Sequence, residues 1–166
     1  MQPDYSETLI GIAEIAVALA GFTGVVVAFG SRNEGSWHPG DRLRLNFLLE
    51  SSLTAGGFAL LTLVMLQVFA EEIAIPCAMA SALWALFMPW SLYSSHRRVQ
   101  ENRLKHGDID RISNGLVFAI FSLLVLAPIA NVVLWREFTP ILAALCFNLA
   151  GAAMQFTRLI RSAFHA

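Results

Sequence analysis

Five stretches of about twenty residues carry almost no charge, and that pattern restricts the fold more than any motif does. They cover 9–29, 45–69, 73–93, 115–135 and 141–159. A helix of about 20 apolar residues matches the hydrocarbon thickness of a bilayer. In lipid, every backbone amide must find its partner inside its own segment, so runs of this length read as helices. The composition agrees: 57% of the 166 residues are hydrophobic and only 14% are charged, whereas ordinary soluble domains carry about 25% charge. The spans leave no room for a separate soluble domain. The expectation is one transmembrane domain over 1–166, an all-α membrane protein built as a five-helix bundle.

The first run needs one check. Ala18-Leu19-Ala20 has the small-x-small form of a signal-peptidase site, but the segment before it holds Asp4, Glu7 and Glu14 and no Lys or Arg. A signal peptide starts basic and has an uninterrupted apolar core. The segment therefore reads as a retained span.

Basic residues set an orientation. With five spans, Arg32, Arg42, Arg44, Arg97, Arg98, Arg103, Lys105, Arg111, Arg158 and Arg161 fall on one side, and Arg136 alone falls on the other. The positive-inside rule then predicts an outer N-terminus and a cytoplasmic C-terminus. Asp4, Glu7, Glu71, Glu72 and Glu137 mark the outer side, and Trp90 and Trp135 sit at opposite span ends.

Glu14 is the residue most in need of explanation. A charged side chain at membrane depth costs about 3 kcal/mol on insertion scales, and such residues usually meet a cavity, a partner or an ion path. Glu50 repeats the pattern in the second run. In the first helix Glu7, Gly11, Glu14, Ala18, Gly21, Val25 and Ala28 alternate at four and three, forming a stripe of acids and small residues. Ile12, Ile15, Leu19, Phe22 and Val26 form a bulky stripe. Ala16, Ala20, Gly24 and Ala28 form a third, small at every fourth position, which lets helix backbones approach closely. Two faces made for neighbours predict a central helix, with Gly11, Ala18, Gly21 and Gly24 as packing positions.

Other polar residues follow the same spacing. Asn46, Glu50, Thr54 and Gly57 share one face of the second helix, and Ala144, Asn148, Gly151, Gln155 and Arg158 one face of the fifth. Depth groups Glu14 with Asn131 and Asn148, and Asn46, Glu50 and Thr54 with Thr23 and Ser91. Two such layers could line one aqueous path through Glu7, Glu14, Glu50, Asn46, Thr54, Asn131 and Asn148. Interhelical hydrogen bonds, common in membrane bundles, account for the asparagines equally simply.

The third loop continues the third span as a helix ended by Gly107. Its Arg97, Arg98, Arg103 and Lys105, with Arg42 and Arg44 of the first loop, form a basic cytoplasmic surface. Such a surface attracts anionic lipid head groups or the phosphates of a nucleotide or oligonucleotide; topology determination alone explains the same residues. His106, Asp108 and Asp110 sit on a loop and make a poor metal site. Asp41 reads as the N-cap of the second helix after the turn Trp37-His38-Pro39-Gly40. Cys77 and Cys146 lie in apolar runs with no metal or redox spacing, and read as free, buried thiols.

No phosphate loop, HExxH, GxSxG or dinucleotide fingerprint is present. An enzyme is left only an intramembrane chemistry with Glu14 or Glu50 as acid or base. No cofactor is implied, and no metal.

The stretch Ala13-Glu14-Ile15-Ala16-Val17-Ala18-Leu19-Ala20-Gly21-Phe22-Thr23-Gly24-Val25-Val26-Val27-Ala28-Phe29 resembles the first helix of small bacterial inner-membrane proteins of uncharacterised function. The resemblance covers about a tenth of the chain. It implies a bacterial inner-membrane location and brings no activity with it. Some compact bacterial multi-pass proteins of similar size are membrane effectors of anti-phage defence.

Five short spans hardly enclose a conduit. The leading expectation is therefore a symmetric homo-oligomer forming an ion channel or pore, with Glu14 and Glu50 multiplied into rings. An anionic cytoplasmic ligand could gate it. A proton-coupled transporter and a non-catalytic subunit docked on a partner protein are the alternatives.

Overall fold

A computed structural model describes residues 5–30, 39–69, 71–106 and 126–164. All of the secondary structure among them is helical. Helix α1 is Tyr5–Gly30, α2 Pro39–Val68, α3 Ala74–His106, α4 Leu126–Trp135 and α5 Phe138–Phe164. Four of these are long and apolar enough to cross a membrane, over Tyr5–Val27, Gly40–Val68, Ala74–Glu101 and Phe138–Arg161. At 1.5 Å per residue they are roughly 40 to 50 Å long, more than the hydrocarbon core requires. The protein is therefore a helical multi-pass membrane protein. Of the expected fourth span, 126–135 is described, and 115–125 lies outside the described residues.

Helix ends follow local chemistry. α2 begins at Pro39, earlier than expected, because proline's fixed φ and missing N–H suit a first turn. Asp41 thus lies in the first turn of the helix and accepts a hydrogen bond from Arg44 at 2.8 Å. α3 continues as a helix to His106, as its loop sequence predicts. Pro76 falls in its first turn, where no amide partner is lost, while Pro89 lies inside it. α4 ends in a π-turn, Asn131–Trp135, and Arg136 takes a left-handed conformation (φ 53°) that turns the chain into α5. The turn is only Arg136-Glu137, since α5 starts at Phe138 and takes in Pro140.

α2 and α5 form the central pair of the bundle. α1 packs along α2 and α5 on one side, and α3 packs against both on the other. Among the described helices, α1 thus meets α2 and α5 rather than α3. Its inward face is Leu9, Ile12, Ala13, Ala16 and Thr23, and of the small residues Ala16 meets α2 closely. A Cβ at Gly56 of α2 would stand 3.1 Å from Ala16 Cβ, so the absence of a side chain there sets the α1–α2 spacing. Ring contacts pin both ends: Tyr5 to Phe138 at 4.4 Å and Phe22 to Phe156 at 5.8 Å. α1 and α5 thus run parallel.

The core is built from alanines and a few large side chains. Ala55, Ala59, Ala80 and Ala144 let the helices close in, while Trp84, Ile141 and Leu145 fill the space between them. Trp84 meets Phe58 edge to face at 4.9 Å. The outside is just as apolar: Val17, Leu86, Trp90 and Leu134 are each at least 70% exposed. Water would not tolerate so extended an apolar surface, whereas lipid does. Cys77 is buried as expected, but Cys146 is exposed, because positions 143, 146, 150 and 153 form the outward face of α5.

Candidate functional site

Glu14 points away from the bundle. It is exposed, as are Glu7, Ala18 and Gly21 on the same stripe. A side chain added at Gly11, Gly21 or Gly24 would meet nothing within 4 Å. Glu14, Ala18 and Gly21 therefore form an exposed ridge that takes no part in the packing among the described helices.

Glu50 is placed quite differently. The guanidinium of Arg98 donates from both terminal nitrogens to the two carboxylate oxygens of Glu50, with the Nη2–Oε2 contact at 2.9 Å. Arg98 also donates to Ser94 Oγ at 3.2 Å and Ser94 O at 3.4 Å, and lies 5.9 Å from the Phe47 ring centre. This forked geometry suits arginine and a carboxylate, and it fixes α3 to α2. Sequence reading assigned Glu50 to an ion path and Arg98 to an anion-binding surface; the fold joins them. The signal was present in the hairpin. α2 ends at Val68 and α3 begins at Ala74, and the two are antiparallel, so their positions face one another in reverse order.

Beside this pair a half-enclosed cleft of about 90 Å³ opens between α2, α3 and α5. Glu50, Thr54, Ser91, Asn148 and Gln155 are among its lining residues. Asn148 thus joins the layer of Glu50 and Thr54, not that of Glu14. Asn46 is exposed and outside the cleft, and Thr23 spends its hydroxyl on Leu19 O at 3.0 Å. Ser95, Met88 and Met154, which the sequence did not single out, are also part of the wall.

Asn131 is held within the subunit by its own bonding. It is fully buried, its amide nitrogen donates to Ser81 Oγ (2.8 Å) and Glu137 O (2.9 Å), and its amide oxygen accepts from Glu137 N (2.9 Å). It staples the α4–α5 turn to α3. These bonds engage both its amide protons and its carbonyl oxygen, as an interhelical hydrogen-bonding role requires.

Charge is segregated between the two ends. The start of α2 and the ends of α3 and α5 meet around the cleft, which places Arg42, Arg44, Arg97, Arg98, Arg158 and Arg161 at one end. Glu7, Glu71, Glu72 and Glu137 lie at the other, with Arg136. Arg44 and Arg97 bond Asp41 and Glu101 on their own helices. Arg103 and Lys105 belong to α3, whose last turns are described by backbone only; Arg32, Arg111, Asp108 and Asp110 lie outside the described residues. Comparison of the chain with protein-family models, curated proteins and solved structures finds no match.

Proposed function

We propose that this chain is one subunit of a homo-oligomeric ion channel in a bacterial inner membrane, with its N-terminus outside, its basic end in the cytoplasm and α4 completing a fifth crossing. The observation that carries this reading is Glu14, exposed at span depth among small residues that no other described helix covers. A lone carboxylate facing lipid is costly, and water or a second copy meeting that face removes the cost. The described residues of one subunit offer a cleft of about 90 Å³ rather than a through-going conduit, so a pore calls for a ring. In such a ring the α1 ridges line or border the axis, and Glu14 makes a cation-selective collar.

At the basic end, Arg42, Arg44, Arg97, Arg103 and Lys105 offer a surface for a gating anion, a nucleotide or lipid phosphate. Arg98, Arg44 and Arg97 are already held by Glu50, Asp41 and Glu101, so an anion would have to compete with those carboxylates for them. A channel opened by such a signal is also a plausible effector of anti-phage defence. The cleft beside Glu50 supports a second reading, a proton-coupled carrier, which needs no ring.

The test is to count subunits in lipid discs and to record conductance from reconstituted protein, with Glu14→Gln alongside. A ring with cation currents whose selectivity falls in Glu14→Gln supports the channel. A stable monomer without conductance, or a single copy held by a different protein, overturns it.

A further inference from the structure

Asn148 is 3% exposed, and its amide makes no hydrogen bond to any described residue. It lies on the wall of the cleft between α2, α3 and α5. Gln155, two turns further along α5, and the hydroxyls of Ser51, Thr54, Ser91 and Ser95 line the same space, likewise without side-chain partners among the described residues. In hydrocarbon an unbonded amide costs about 1 to 3 kcal/mol. Asn131, the other buried asparagine among the described residues, is bonded through both ends of its amide.

We infer that this cleft is a hydrated vestibule, carrying water and small cations from the basic end of the bundle into the span as far as Asn148. Its volume of about 90 Å³ has room for several waters, and a site with polar groups on three helices offers each water the two to four partners it needs. Glu50 stands in the wall as the charged element. Arg98 neutralises it, so the pair sets how readily a cation enters. The inference is independent of the ring, because the cleft lies within one subunit and α1 takes no part in its wall.

The test uses silver ion, a small cation that reaches a thiol through water. In a Cys146→Ala background, native Cys77, fully buried among apolar side chains, is the dry reference. Single cysteines are placed at Thr54, Ser91 and Asn148 in the cleft, and at Ala144 in the core. Protein that elutes as the parent does is exposed to silver, denatured, and its remaining thiols are counted by site. The vestibule predicts that the three cleft thiols are consumed while Cys77 and the thiol at 144 survive. Should the variant at 148 fail to fold, those at Thr54 and Ser91, which are only half-buried, decide the matter. Cleft thiols as protected as the core thiols overturn the inference. A second arm tests the charge pair: Arg98→Gln should speed the reaction at Ser91→Cys about fivefold or more, and Glu50→Gln should slow it. Equal effects in one direction from both changes would also sink it.

Discussion

Replacing Gly56 by leucine tests the packing of α1 on α2 directly. A Cβ at that position already stands 3.1 Å from Ala16 Cβ, inside ordinary contact, and leucine adds three further carbons in the same direction. Ala16 is 2% exposed and carries no flexible end that could move aside. The helices must separate or the side chain must leave its preferred rotamer, and overpacking of this kind costs about 1 to 3 kcal/mol. For a chain of this size that corresponds to roughly 2 to 12 °C in the unfolding midpoint. Gly57→Leu is the matched control. It makes the same chemical change one residue later and gains the same helix propensity, but meets nothing within 4 Å. The assay is thermal unfolding of both variants in one detergent, followed by a probe of tertiary structure. Gly56→Leu should melt below the parent and Gly57→Leu close to it. If the two variants melt together, the close approach at Ala16 does not determine how α1 is held.

Three further outcomes follow from the same geometry. Asn131→Ala leaves Glu137 N–H without its acceptor and Ser81 without its donor, and should cost about 1 to 3 kcal/mol by thermal unfolding, with Ser81→Ala costing less. Arg136→Gly should hold or raise the melting temperature, because glycine takes φ 53° freely, while Arg136→Val should lower it, since a branched side chain resists that conformation. A double-mutant cycle on Glu50 and Arg98 should return a coupling of only about 0.2 to 1 kcal/mol, because the two side chains are 41% and 34% exposed and solvent or head groups screen them; a much larger coupling would mean that the pair is effectively dry.

Much of this protein is a matter of one-dimensional chemistry. Long uncharged runs can satisfy their amides in lipid only as helices, so the spans, the lipid-facing surface and the helical continuation through Arg97 and Arg98 are properties of the chain itself. The bonding of charges to near neighbours, such as Asp41 with Arg44, is equally local. Which face of a helix turns inward was not legible in the same way. A row of small residues fits a close neighbour in the same subunit, a neighbour in another copy, or none; the chain offers two such rows on α1, and packing on α2 took the one containing Ala16 and left Glu14 outside. The cleft is likewise a product of assembly, since Glu50, Ser91 and Asn148 belong to helices far apart in sequence and share a wall only because α2 and α5 pair at the centre. Spacing along one helix determined which residues share a stripe; only the fit of side chains between helices decided which stripe is buried, which acid gained an arginine, and which asparagine kept its amide unbonded.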